Sequence, residues 1–345
     1  SASFALRQCP QNAHHVQCLS DLLQSTYKEQ GADEAFSLFK HLYEADPTFV
    51  AVCHDMTHGL GTAAYDRYAQ GQPFEIRDED TNCGYGFFHG FLEALVGHTG
   101  NPADAHTFCE NLIADLPNAE SVRAACFHGF GHGVTDGSDP RAWGSEQHIV
   151  DPGLALCSRI TTGEKELRYC AGGVYNALAY MYKIPKYKIS INREDPLAFC
   201  RAQATAILRE ACYSNFNVIV SKIYNDDFGR LTKLVEAIPE AAVAEDVITQ
   251  FAGYQARVRL SSATDAPLIE GCLQVKEPLR APCIKGLVGG FMHAAEPGQE
   301  YERTFAFCSS AALTGNYREL CFSTLAGVVK LQFSPSVYSA VCKRI

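Results

Sequence analysis

Five pairs of cysteines recur in one local context along this chain, and that recurrence limits the fold more than any other feature. Cys109/Cys126, Cys157/Cys170, Cys200/Cys212, Cys272/Cys283 and Cys308/Cys321 follow a common grammar. A short apolar segment ends at the first cysteine: DAHTFC, DPGLALC, DPLAFC, DAPLIEGC and YERTFAFC. A loop follows. A second segment carries an arginine shortly before the next cysteine: RAAC, RYC, REAC, RAPC and RELC. Asp or Asp-Pro ahead of the first segment is an N-cap signal with Pro at the first helical position. Each unit therefore reads as a helix–loop–helix hairpin, repeated every ~36–48 residues, a period that belongs to stacked helical arrays. The expected fold is all-α, built of disulfide-stapled helical-hairpin repeats in an α-solenoid-like array.

The chain has 15 cysteines and no CxxC motif, which argues against zinc ribbons, thioredoxin-type redox motifs and covalent haem. Disulfides in an oxidising compartment, secreted or periplasmic, explain the count better. Each pair is expected to staple its own hairpin, a closure worth about 2–4 kcal/mol in the loop-entropy account. Cys9 and Cys18 read as a degenerate cap. Cys53 and Cys83 lack partners in their own units and are expected to pair with each other. Cys342 opens a unit whose second helix is missing, so it is free or available to a second chain. The arginine before each second cysteine is expected to bind an acid or a loop carbonyl. DFGRLTKLVEAI and EDVITQFAGYQARV form a hairpin without cysteines. The chain divides on this reading into a helical cap over residues 1–30, histidine-rich repeats over 31–150 and cysteine-paired repeats over 151–345.

Several function classes drop out. The net charge is -10 and no Lys/Arg cluster could track phosphates, so a nucleic-acid surface is not expected. No run of about 18 apolar residues exists to span a membrane. The opening SASFALRQCP has no basic stretch followed by an apolar one and reads as a mature end. No G-x-S-x-G, HExxH, P-loop or dinucleotide motif occurs.

The 12 histidines are unevenly placed, and only His293 lies beyond residue 148. Aligned on their cysteines, three successive second helices carry metal-type ligands four residues apart. CHDMTHGLGTAAY gives His54 and His58; CGYGFFHGFLEAL gives His89 and Glu93; CFHGFGHGV gives His128 and His132, with Asp136 following. Later units hold Asn176, Val218, Gly289 and Gly327 at comparable places, so the hairpin itself does not demand histidine. An i, i+4 pair faces one way on a helix. Neighbouring second helices would thus point five imidazoles and a carboxylate into one space. Glycines crowd the same segments at a cost of roughly 0.5–1 kcal/mol each. Such a cost implies close helix contact, or a cofactor lying against backbone.

Neutral imidazole suits zinc, copper, iron and nickel. With thiolates consumed in disulfides, a nitrogen-rich site is implied, copper or zinc ahead of iron, with one ion or two. Haem held non-covalently by two histidines, in an electron-transfer protein, is a third form. Asp55, Asp136, Tyr65 and Tyr85 are candidate partners that would fix the imidazole tautomers. If the protein is an enzyme, the metal activates water or dioxygen, and Glu93 or Asp136 is the acid–base group. The rival reading is a stapled scaffold that binds a protein or assembles through Cys342 and the C-terminal repeats, its histidines being structural. The long loop around Trp143 reads as a lid or a surface insertion. His14, His15 and the tract MYKIPKYKISINRE read as solvated.

CHxxxHG, CxxGFxHG and CFHGFGHG resemble motifs of uncharacterised secreted bacterial proteins. The hairpin repeat is similar in architecture to Sel1-like and tetratricopeptide arrays, whose signature residues are absent here.

Overall fold

The computed structural model describes residues 2–72, 82–99, 102–115, 119–135, 137, 139–260, 264–296 and 298–345. Among them the chain is helical, with no strand. It divides into two compact units: Ser1–Leu178 with Pro185–Ile189, and Ala179–Ile184 with Ser190–Ile345.

In the first unit α1 (Ala2–Gln8), α2 (His15–Gln30), α3 (Ala32–Ala45) and the short α4 (Pro47–Ala51) lead into α5 (Cys53–Ala69) and α6 (Asn82–Thr99). Two hairpins follow, α7 (Pro102–Asp115) with α8 (Ala119–Gly133), and α9 (Glu146–Ile160) with α10 (Glu164–Met181). The core centres on α6. Its residues from Gly86 to Leu92 are buried without interruption, and Phe87, Phe88 and Phe91 are sealed completely. A helix buried on every side needs a partner on each side; α5 packs on one and α8 on another.

The second unit runs α11 (Ala198–Arg201), α12 (Ala206–Asn215), α13 (Asn217–Ile223), α14 (Phe228–Val235), α15 (Ala241–Val258), α16 (Ala266–Gln274), α17 (Arg280–Ala294), α18 (Glu300–Cys308), α19 (Gly315–Gln332) and α20 (Pro335–Cys342). The cysteine-free hairpin expected between Cys212 and Cys272 is α14–α15. Thr205, Asp227 and Ser334 cap α12, α14 and α20 through their side chains.

Seven disulfides close Cys9–Cys18, Cys53–Cys83, Cys109–Cys126, Cys157–Cys170, Cys200–Cys212, Cys272–Cys283 and Cys308–Cys321. They are the pairs anticipated from the sequence, and Cys342 is left exposed and unbridged. Four of the five arginines behave as anticipated. Arg209 donates to the Gln203 carbonyl at 3.1 Å, Arg280 to that of Val275 at 2.7 Å and Arg318 to that of Ser310 at 3.0 Å. Each reaches back across its own hairpin loop. Arg123 instead pairs with Glu166, which is buried. No helix among the described residues is long and apolar enough to cross a membrane.

Three local readings need correction. The Asp N-cap reading fails in three units: Asp104 lies inside α7, Asp195-Pro196 stands ahead of α11, whose N-cap is Leu197, and Asp151-Pro152 does not start a helix. Ser145 caps α9, accepting from the His148 amide, and Pro152 lies inside it. A proline in the second turn forfeits one backbone bond, a smaller loss than giving up the buried Ile149 and Val150 ahead of it. His15 is not solvated. It is 3% exposed, with Nε2 2.6 Å from the Asp46 carboxylate and Nδ1 2.8 Å from the Cys9 carbonyl. Acceptor oxygens at both ring nitrogens favour the imidazolium and raise its pKa, the Gln11 side-chain amide also lying 3.0 Å from Nε2, and Asp46 also caps α4. Tyr187, in the basic tract, is buried against Trp143, whose indole N–H donates to the Gly137 carbonyl at 2.9 Å. The Trp143 loop is thereby anchored at both ends of its tryptophan.

Candidate metal centre

Three helices present the six side chains. His54 and His58 lie on α5, His89 and Glu93 on α6, and His128 and His132 on α8. Why these helices approach so closely is answered by the glycines. A Cβ at Gly61 would sit 1.8 Å from the Phe87 carbonyl oxygen; at Gly90, 1.9 Å from that of His58; at Gly86, 2.5 Å from that of His54. Between α6 and α8, a Cβ at Gly129 would meet the His89 Cα at 2.9 Å, and one at Gly133 the Glu93 Cα at 3.0 Å. On the far side of α8, Gly173 of α10 lies against the His128 carbonyl, where a Cβ would be 1.9 Å away. The helix backbones touch, and only hydrogen fits between them. α15 and α17 of the second unit do the same at Gly286 and Gly290 without the paired histidines of α5 and α8. Close approach is therefore a property of the scaffold, and the histidines are additional to it.

The imidazoles converge. Ring centroids lie 5.1 Å apart for His54/His89, 5.0 Å for His89/His128 and 5.1 Å for His128/His132, widening to 6.4 Å for His89/His132 and 6.5 Å for His58/His132. Two imidazoles bound to one tetrahedral ion at about 2.1 Å have centroids about 5 Å apart. The three shorter separations match that value. Among the described residues, however, no three His, Cys, Asp or Glu side chains are set around a common point as a finished metal site.

Hydrogen bonds orient part of the cluster. The carbonyl of Cys83, a residue with left-handed backbone (φ 51°), lies 2.9 Å from His54 Nδ1. A carbonyl can only accept, so the proton sits on Nδ1 and the Nε2 lone pair is left facing His89 Nδ1, 3.4 Å away. The Cys53–Cys83 disulfide flanks this contact on both helices. His58 Nε2 meets the Glu93 carboxylate at 3.1 Å, with Glu93 about half exposed.

Protonation is set by burial. It drives His89 and His132 well below the usual histidine range and His128 down to about 4, and neighbouring imidazoles add repulsion in each case. At neutral pH these three rings are uncharged and carry the lone pairs that a cation needs. The hydrogen bond from His58 lowers Glu93, outweighing its burial. Glu93 is thus a carboxylate, suited to ligation or to accepting a proton rather than to donating one.

Of the remaining candidates, Asp136 and the side chain of Tyr85 lie outside the described residues. Asp55 is exposed. Tyr65 is buried but stacks on His98 and meets Phe91 edge-on. A cleft of about 360 Å³ lined by Lys28, Tyr65, Asp66, Arg67 and His98 includes none of the six. Sequence reasoning missed two components. The Cys83 carbonyl is a backbone group, signalled only by Cys53 being adjacent to His54. The wall provided by α10 was signalled by Gly172 and Gly173 in CAGGVYN.

No family model matches the chain, and neither a curated protein nor a solved structure does so.

Proposed function

We propose that this is a metal-binding protein whose centre is formed by His54, His58, His89, His128 and His132 with Glu93. One observation carries the reading: five imidazoles from three consecutive helices gather with rings 5.0–6.5 Å apart, held by glycine contacts in a core that keeps three of them uncharged. His89 is buried and the other four rings are part-buried; gathering polar rings there is costly unless something satisfies them, and a cation does so. Nitrogen-rich donors favour copper or zinc over iron. Backbone contact between α5, α6 and α8 leaves no slot for a macrocycle, which favours a bare ion over haem. Seven disulfides support a secreted or periplasmic setting, with the stapled hairpins stacked as a solenoid-like array that carries the centre.

The test is metal analysis of the full chain after stripping with a chelator and reloading with Cu²⁺ or Zn²⁺. Stoichiometric uptake that raises the melting temperature, and that His89→Ala abolishes while the protein stays helical, is expected. A wild-type protein that takes up neither ion and melts identically with and without chelator removes the metal centre and leaves a stapled scaffold.

A further inference from the structure

We infer that the Cys53–Cys83 disulfide is a redox switch on the metal centre: a dithiol that opens it frees His54 from its fixed orientation and lowers the affinity for the ion. This rests on the metal-binding reading above and adds to it the regulation of that site. Position sets this disulfide apart from the other six. Each of the five hairpin staples joins two helices of one unit and leaves its cysteines at most 1% exposed. Cys9–Cys18 closes the turn between α1 and α2. Cys53–Cys83 instead joins two ligand-bearing helices, α5 and α6, across 30 residues, and its cysteines stay 6% and 8% exposed.

Both ends of the bond reach His54. Cys53 is its neighbour in the chain, and His54 Nδ1–H donates to the Cys83 carbonyl at 2.9 Å. The ring lies against the first turns of α6, where a Cβ at Gly86 would stand 3.2 Å from the same nitrogen. That hydrogen bond keeps the proton on Nδ1 and leaves the Nε2 lone pair to the cluster, 3.4 Å from His89 Nδ1. The carbonyl is aimed by the left-handed backbone of Cys83, φ 51°. A residue with a Cβ keeps that conformation only where its surroundings impose it, and the disulfide on its own side chain is the covalent part of those surroundings. Once the bond opens, Cys83 can relax to an ordinary backbone, and its carbonyl then leaves His54.

The scaffold does not depend on this bond. Backbone contacts at Gly61, Gly86 and Gly90 hold α5 and α6 in register, and the hairpins keep their own staples. The switch therefore acts on one turn and one ring. The dithiol balances the exchange. Its thiolate attacks one sulfur of Cys53–Cys83, the other sulfur leaves as a thiolate and is protonated, and the second thiol of the reductant displaces the mixed disulfide. The reductant ends as a disulfide, having given two electrons and two protons, and Cys53 and Cys83 end as thiols. Two features favour the open form at this pair: the release of the left-handed Cys83, and the place of both cysteines at helix starts, Cys53 first in α5 and Cys83 second in α6, where unpaired amides favour a departing thiolate.

The size of the effect follows from the role of the carbonyl. Removing the partner that orients a ligating histidine lowers metal affinity about 10–100-fold. In an oxidising setting the bond is closed and the ion is held; a dithiol partner loosens it without unfolding the bundle.

Zn²⁺ affinity of the full chain, measured by competition with a chromophoric chelator, tests this with no reductant present. The double variant Cys53→Ser, Cys83→Ser should bind Zn²⁺ about 10–100-fold more weakly than wild type, with the same helical circular dichroism. The double variant Cys272→Ser, Cys283→Ser, which removes a hairpin staple of the second unit, should bind as wild type does. In a His54→Ala background the Cys53 and Cys83 substitutions should have no further effect, because the switch acts through that ring. Graded dithiothreitol on the metal-free chain, followed by alkylation and peptide mass mapping, should open Cys53–Cys83 before any hairpin staple. A Cys53, Cys83 variant that binds Zn²⁺ as tightly as wild type overturns the switch and leaves the metal-binding reading standing. So does an equal loss in the Cys272, Cys283 variant, an undiminished loss in the His54→Ala background, or a hairpin staple that opens first. A wild type that binds no Zn²⁺ removes the metal-binding reading itself. Should the serine variant fail to fold, reduced and desalted wild type decides: it must bind Zn²⁺ more weakly than the oxidised chain, and equal or tighter binding overturns the proposal.

Discussion

Two glycines of α6 are predicted to respond to the same substitution with opposite signs. Gly90 and Gly97 sit on one face-buried helix two turns apart, and in both cases alanine gains up to about 1 kcal/mol of helix propensity. Their surroundings decide the rest. A Cβ at Gly97 meets nothing within 4 Å, whereas a Cβ at Gly90 would lie 1.9 Å from the His58 carbonyl oxygen and 2.8 Å from its carbon. Those atoms are helix backbone and cannot swing aside; α5 and α6 must separate. Overpacking of this kind costs about 1–3 kcal/mol or more, applied here at the middle of the core. Gly97→Ala should therefore stabilise by up to about 1 kcal/mol. Gly90→Ala should destabilise by about 1–2 kcal/mol after the propensity gain is subtracted. At about 2–4 °C per kcal/mol for a unit of this size, Gly90→Ala melts about 2–8 °C below wild type and Gly97→Ala slightly above it. The measurement is thermal unfolding followed by circular dichroism, with urea titration as the second axis. A Gly90→Ala protein as stable as wild type would mean that the helices are not in contact there. Equal losses at both positions would mean that glycine is needed for conformation, not for space.

Acid should weaken the metal-free protein over a defined window. His128 falls from 6.5 unfolded to about 4 folded, and His89 and His132 are lowered as well. Between those values the unfolded chain binds protons that the folded one refuses, so stability drops as pH falls from 6.5 and levels off once the folded rings protonate. His128 alone accounts for about 3 kcal/mol of loss by pH 4; urea midpoints at pH 7, 5.5 and 4 check this, and a flat profile refutes it. The His15–Asp46 pair acts in the other direction. Burial opposes the charge on His15, but the Asp46 carboxylate and the Cys9 carbonyl outweigh it and raise the pKa; burial likewise opposes the Asp46 charge, and His15 and the Thr48 amide outweigh it. The pair is intact between the lowered Asp46 value and the raised His15 value. Its share is lost as pH rises through the latter or falls through the former. His15→Ala strands a buried carboxylate and should cost about 3–5 kcal/mol. The double variant His15→Gln, Asp46→Asn should recover much of it, and a single variant that melts like wild type would place the pair at the surface.

What was legible in the sequence followed from local rules, and what was not depended on chain pairs far apart. The staples could be read because each cysteine pair closes a short loop within one hairpin, and the hairpin repeats. The arginines that span those loops are equally local. The five histidines could be grouped because i, i+4 spacing fixes a face, and because comparing units within the chain removes what the scaffold needs. His15 was misread for the opposite reason: its partner Asp46 stands in a different helix, and a histidine near the amino terminus carries no mark of burial. Asp151-Pro152 failed because a strong local signal for helix initiation lost to the burial of Ile149 and Val150 just before it. The glycines fall between these cases. Their cost was visible, but two causes could explain it, and only a contact between backbones distinguishes a helix from a ligand as the neighbour. That contact bears on the site as well. Gly86, Gly90, Gly129 and Gly133 each abut a ligand-bearing position of the neighbouring histidine helix, so the spacing that closes the scaffold also sets where the imidazoles stand. A change in that spacing therefore moves the imidazoles, whereas a change of histidine leaves the spacing in place.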